Sequence, residues 1–249
     1  MSTFGAMFKK RKIDFLIIGA QKSGTTSLYE YLTAHPLIDA AKKKEVHYFN
    51  LNHQKGNKWY HQFFPWNKSH LQGEASPYYL FDESVPAKVK AYNPKIKLIV
   101  ILRDPSERAF SHYRMNVRLG MENLGFLEAL NAEDERIKEN DLLSPTNPQL
   151  LYSYKHRGLY SKQLSNWLKH FPREQLMILK YDEFFNTPWN EIQKVYHFLG
   201  LADFNECHQD FFSNKNIGNI DLSEDAKILL RHYFAEPNRK LAQQYGVTF

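Results

Sequence analysis

Residues 17–28 hold the densest chemistry of the chain: Ile17-Ile18-Gly19-Ala20-Gln21-Lys22-Ser23-Gly24-Thr25-Thr26-Ser27-Leu28. An apolar strand end, a glycine-bounded loop and a helix opening on hydroxyl residues build an anion cradle. The unpaired N–H groups of the helix start and the helix dipole converge on one point there. A nucleotide-triphosphate loop carries Lys directly after its second glycine. Here Gly24 is followed by Thr25 and Thr26, and the lysine stands earlier, at Lys22, inside the loop.

A second anion reader closes the apolar run 96–102. A nucleotide triphosphatase usually places an Asp after such a strand to hold magnesium; here the run ends in Arg103. Arginine is a planar, bidentate phosphate ligand. Ser111 lies about two helical turns further on and can add a hydroxyl to the same anion. The competing reading of Arg103 is a strand-end salt bridge to Asp104 or Glu107. A loop for one phosphate and a separate Arg/Ser site for another suggest a nucleotide phosphorylated at two separated places. A third pair, Glu45 and His47, would share one face if the segment is a strand. The alternative for Glu45 is a surface pair with Lys43 or Lys44.

The elements that must position these residues follow from the apolar pattern. Runs 13–20, 96–102 and 175–180 are short and rich in aliphatic residues, as buried parallel strands are. Asp104 and Pro105 fit the cap and first turn of a helix running to Arg118. Further helices are predicted over 159–170, 188–199 with Gly200 as stop, and 223–245 with Gly246 as stop. Strands alternating with helices give an α/β fold with a mostly parallel sheet. In such a sheet ligands sit beyond the carboxyl ends of the strands, so loop 19–26 and Arg103 are expected to face one crevice. The charged stretch 120–151, with Ser144-Pro145 and Asn147-Pro148, reads as an excursion from the sheet, a helix followed by a mobile loop.

With 249 residues and 43% hydrophobic content, the chain is long enough to bury a real core. Its formal net charge of +6 suits an anionic ligand. No Lys/Arg-rich arm, zinc pattern or RNA-binding signature argues for nucleic acid. The histidines show no metal-ligand spacing. Cys207 is the only cysteine, which excludes an intrachain disulfide and fits a reducing compartment. The apolar run 13–20 contains Asp14 and is too short for a membrane span. A cytoplasmic location is therefore expected. Trp59, Tyr60, Phe63, Phe64 and Trp66 read first as core and second as an acceptor wall.

At this point the chain resembles the sulfotransferases that use 3′-phosphoadenosine 5′-phosphosulfate. Residues 17–28 look like their 5′-phosphosulfate loop, and Leu102-Arg103-Asp104-Pro105-Ser106-Glu107-Arg108-Ala109-Phe110-Ser111-His112-Tyr113 looks like their 3′-phosphate motif. Lys44-Glu45-Val46-His47-Tyr48-Phe49 is similar to a segment of the heparan sulfate sulfotransferases and their bacterial relatives. Residues 158–168, Phe171-Pro172 and 233–241 match further family segments, so the resemblance covers nearly the whole chain and is weakest over 120–151. Ala75 and Asn50 depart from the pattern, standing where those enzymes commonly carry Lys and Asp.

The resemblance implies a P-loop-like three-layer α/β/α fold with a central, mostly parallel sheet, and one sulfotransferase domain over 1–249. It implies that Lys22 contacts the phosphosulfate and stabilises the leaving phosphate. The N–H groups of Ser23, Gly24, Thr25, Thr26 and Ser27, with the Thr25 and Thr26 hydroxyls, would hold the 5′-phosphate. Arg103 and Ser111 would hold the 3′-phosphate, and Lys215 would lie in a loop over the nucleotide. Glu45 would be the general base, with a pKa raised towards neutrality by burial and its neighbours, and His47 would orient the acceptor or assist. No metal is required. The implied acceptor is a hydroxyl on a saccharide; a lipid, a small natural product or a carrier-bound hydroxyacyl group stays open. Rival classes are an ATP-dependent kinase or triphosphatase and a nucleotide- or glycan-binding module without catalysis.

Overall fold

A computed structural model describes residues 11–138, 147–204 and 222–249. Among them a five-stranded sheet runs in the order β2-β3-β1-β4-β5, and every neighbouring pair is parallel. The strands are β1 (Phe15–Gly19), β2 (Ile38–Ala40), β3 (Leu71–Ala75), β4 (Lys97–Leu102) and β5 (Leu176–Lys180). β1, β4 and β5 fall within the three predicted apolar runs. β2 and β3 carry no such run. Ile38-Asp39-Ala40 is too short, and Leu71-Gln72-Gly73-Glu74-Ala75 is polar yet almost wholly buried. Gly73 is required where it stands, because an added Cβ would meet the Phe15 ring at 2.5 Å.

Side chains alternate across the strands, so each strand feeds two apolar layers. On one face Leu16, Ile18, Leu98, Val100 and Leu102 pack with α3 (Val85–Tyr92) and α7 (Tyr160–Leu168). Phe15, Ile17, Ile99 and Ile101 face the other way, towards α1 (Thr25–Thr33) and α9 (Pro188–Leu199). The result is the three-layer arrangement expected. Tyr60 and Phe64 are buried in the first layer, with Trp59, Phe63 and Trp66 packed on it, which answers the question of the aromatic cluster in favour of the core.

Helix boundaries follow the sequence signals closely. Asp104 caps α4 (Pro105–Arg118) by accepting from the N–H groups of Ser106 at 2.9 Å and Glu107 at 3.0 Å. Gly200 and Gly246 end α9 and the long C-terminal helix α10 (Glu224–Tyr245) in left-handed conformations.

The described part of the excursion after α4 is helical, with α5 (Phe126–Arg136) and α6 (Pro148–Tyr152), and the expected mobile loop falls at residues 139–146, outside the described residues. Leu130 and Ala129 pack with Ala109 of α4 and Leu230 and Phe234 of α10 in a third apolar cluster. Buried Glu122 pairs with Arg136 at 2.6 Å. Buried Glu133 accepts from the backbone of Lys155 at 2.6 Å and of His156 at 2.9 Å.

Candidate active site

The carboxyl ends of β1, β3, β4 and β5 open into one cleft of about 870 Å³. Each strand delivers its next residues to the wall: Gln21, Lys22 and Gly24 to Ser27 after β1, Pro77 after β3, Arg103 after β4 and Tyr181 after β5. This is the crevice predicted for an open parallel sheet.

At the floor, Gly24 adopts φ 86° and serves as N-cap of α1 without a side-chain cap. The first intrahelical bond runs from Leu28 N–H to the Gly24 carbonyl at 3.0 Å. The amides of Thr25, Thr26 and Ser27 precede that bond and are free to take an anion. Gly24 is necessary twice over, because a Cβ there would also meet the Phe185 ring at 2.6 Å. One expected contact fails. Ser23 is fully buried, and its N–H is spent on the Ala20 carbonyl at 3.2 Å, shaping the loop rather than facing the cleft.

Lys22 lines the cleft with φ 69°. Its pKa is lowered, first by burial and then by the charges of Arg118, Arg103 and Lys44; Glu45 opposes them. Arg103 is 4% exposed and sits over the Tyr181 ring, 4.6 Å from its centre. Its Nε and Nη2 donate to Glu107 Oε2 at 2.9 and 2.8 Å. The salt-bridge reading is therefore correct as geometry, and the guanidinium still lines the cleft beside Ser111.

The Glu45–His47 segment corrects two expectations. It is not a strand: Glu45 and His47 have φ 54° and 53°. The pair nevertheless meets, with His47 Nε2 3.3 Å from Glu45 Oε2. Glu45 lines the cleft while His47 stands behind it. The Glu45 pKa is lowered, not raised. Burial pushes it up, but the hydrogen bond and charge of His47, with Lys44 and Arg157, outweigh that. Positive φ in non-glycine residues costs about 1–3 kcal/mol each and gathers at functional sites. Among the described residues, Lys22, Glu45 and His47 make up all but Trp66 of that class.

Several cleft residues were not singled out from the sequence. Arg114 and Arg118 follow Glu107 and Ser111 at helical spacing on α4, a readable signal. Lys44 reaches across to the Thr26 hydroxyl. Tyr181 and Phe185 stack on each other at 4.2 Å beside Arg103 and Gly24. Arg157, which from its place before α7 is expected to reach the cleft, is instead buried behind it, where it bonds Gln21 and lies over the Tyr78 ring at 4.8 Å. Ala75 is 2% exposed and belongs to the apolar layer beneath α1. Lys215 lies outside the described residues. Among the described residues no group of His, Cys, Asp and Glu could hold a metal ion, and no helix is long and apolar enough to cross a membrane.

Known proteins share this architecture. The family model for the sulfotransferase domain matches residues 12–225. The chain is 33% identical to mouse heparan sulfate glucosamine 3-O-sulfotransferase 5, covering 94% of this chain and 72% of that protein. Identity to mouse heparan sulfate glucosamine 3-O-sulfotransferase 3B1 is 32%, over 80% of this chain and 49% of the relative. A solved sulfotransferase from Alicyclobacillus acidocaldarius superposes with a TM-score of 0.82 at 28% identity, covering 96% of this chain and 98% of that one.

Proposed function

The chain belongs to the sulfotransferase domain family, and from that premise we propose that it moves a sulfuryl group from 3′-phosphoadenosine 5′-phosphosulfate to a saccharide hydroxyl. One observation carries the reading: Lys22 and Glu45 line the same cleft as two separate anion sites, the α1 N-terminus and the Arg103/Ser111 wall. A nucleotide phosphorylated at both its 5′ and 3′ positions needs two such sites.

The residues divide the work by position. The amides of Thr25, Thr26 and Ser27 take the 5′-phosphate at the positive end of the helix dipole. Arg103, turned by Glu107 and stacked on Tyr181, presents its remaining N–H groups to the 3′-phosphate with Ser111. In an in-line transfer the acceptor oxygen bonds sulfur as the bond from sulfur to the bridging phosphate oxygen breaks. Glu45 takes the hydroxyl proton. Lys22 offsets the charge growing on the departing oxygen, an interaction stronger in the transition state than before it. The low pKa of Glu45 keeps it ionised and ready at neutral pH. A weaker base than first expected, it suits a late proton transfer, once the attacked hydroxyl has become acidic.

The saccharide acceptor is supported by the two relatives, both named for heparan sulfate glucosamine. Lys44, Arg114 and Arg118 give this cleft the cations an acidic saccharide would meet. The test is transfer of labelled sulfate from the donor to a panel of heparan-type oligosaccharides, lipids and small hydroxyl compounds, with products identified by mass. Sulfated oligosaccharide is expected, and at an undiminished rate with a chelator present. Product on lipid or small acceptors alone overturns the acceptor class, and magnesium-dependent ATP turnover overturns the donor. The site of action we propose is the cytoplasm, on the strength of the single cysteine; recovery in another fraction of disrupted cells would refute it.

A further inference from the structure

Glu74 is a fully buried carboxylate at the end of β3. Burial raises its pKa, against hydrogen bonds from Ser76, Tyr79 and Tyr60. A carboxylate in such a place is costly unless every lone pair is met, and an apolar side chain could fill the volume. Here both oxygens are occupied. Oε1 accepts from Tyr60 OH at 2.9 Å and Tyr79 OH at 2.8 Å. Oε2 accepts from Ser76 Oγ at 2.7 Å and from Val46 N–H at 3.3 Å.

The same partners reach on to the loop that bears the acceptor-side pair. Ser76 Oγ accepts from His47 N–H at 3.1 Å, and Tyr79 OH accepts from Phe49 N–H at 3.3 Å. The amides of residues 46, 47 and 49 are thus tied, directly or through one hydroxyl, to a single carboxylate. Between and beside those ties lie the left-handed conformations of Glu45 and His47. A non-glycine residue holds such a conformation only when its surroundings over-determine it. Glu74 also belongs to the strand that pairs directly with β1, whose exit is the Lys22 loop.

We infer that Glu74 is a positioning residue for sulfuryl transfer: through Val46, Ser76 and Tyr79 it holds the backbone that presents Glu45 to the cleft with His47 against it. It touches neither donor nor acceptor, and the inference rests on the reading of Glu45 as the base. Its hydrogen bonds, not its charge, do the positioning. In Glu74→Gln the amide oxygen can still accept from Val46 N–H and Ser76 Oγ, which keeps the ties to residues 46 and 47, while the NH2 replaces the oxygen that accepted from the two tyrosine hydroxyls. Glu74→Met keeps the volume and removes every acceptor.

The test measures kcat and the affinity for adenosine 3′,5′-bisphosphate in E74M, E74Q, S76A and, in parallel, E45Q. E74M is expected to lower kcat by at least about tenfold and S76A by about threefold to tenfold, with nucleotide affinity within about twofold of the native value. E74Q should keep kcat within about threefold. Equal losses of kcat and nucleotide affinity would make Glu74 a general structural residue and overturn the inference. A loss in E74Q as large as in E74M would overturn it, because the ties through Val46 and Ser76 survive in E74Q. Should E74M fail to fold, S76A decides: native kcat there refutes the tie to His47. If E45Q keeps native turnover, the base assignment itself fails; if E45Q is impaired while E74M and S76A are not, only the positioning role falls.

Discussion

The two ends of the cleft are built on different principles. The end proposed to hold the donor is made from strand exits, a helix N-terminus and one face of α4, all local structures with strong sequence signals. The acceptor end is an irregular loop, residues 41–50, held by side chains from β3 and the turn Pro77–Leu80. A regular element carries its own geometry and needs little support to bind an anion. A loop that must hold Glu45 and His47 at φ 54° and 53° borrows its geometry from elsewhere. Donor binding and chemical turnover should therefore separate under mutation.

The largest separation is expected from Glu45→Gln, which should lower kcat by about a hundredfold to ten-thousandfold while sparing donor affinity. Rapid-quench turnover beside calorimetric titration of the bisphosphate measures both, and a parallel loss would erase the division between the two ends. Lys22→Ala comes next, with a loss in kcat of about a hundredfold to a thousandfold and a smaller loss in affinity. Arg103→Ala removes a charge-assisted contact and should weaken the 3′-phosphorylated nucleotide by about tenfold to a hundredfold. Its counterpart lacking the 3′-phosphate should be nearly unaffected in the same titration. Equal weakening of the two would detach Arg103 from that phosphate.

The smallest effect is in the pH profile. Lys22, with its pKa lowered by burial and by Arg118, Arg103 and Lys44, loses its charge at lower pH than an ordinary lysine. Affinity for the donor should accordingly fall as pH rises through that value. Lys22→Arg should push the alkaline limb upward, because a guanidinium stays protonated. Against the effect of burial, the Glu45 pKa is lowered by the hydrogen bond and charge of His47 and by Lys44 and Arg157, so its acid limb should lie below that of an ordinary glutamate. An acid limb near neutrality would restore the raised pKa that its burial alone suggested.

Legibility in the sequence followed the same division. β1, β4, β5 and the major helices announced themselves by apolar runs, caps and glycine stops. β3 did not, because its buried side chains Gln72 and Glu74 are polar, and part of what satisfies them, Asp39 for Gln72 and Tyr60 and Val46 for Glu74, stands far away in sequence. The Arg103 site was readable from strand and helix spacing, and Arg114 and Arg118 continue the same face. Lys44 was not readable as a cleft residue, since its reach to Thr26 depends on how the 41–50 loop meets the start of α1. The direction of the Glu45 pKa was not readable for the same reason: burial alone raises it, whereas the opposing balance of His47, Lys44 and Arg157 depends on distances set by folding.

By itself the sequence determined the donor half: an anion loop with a displaced lysine, a second anion reader and an alternating α/β order, because backbone amides, dipoles and helical spacing are local properties. Only the tertiary structure decided the other half. It turned Glu45 and His47 towards each other off any strand and set Glu74 behind them. Those outcomes depend on which polar groups long-range packing brings within hydrogen-bonding distance, and no local pattern encodes that.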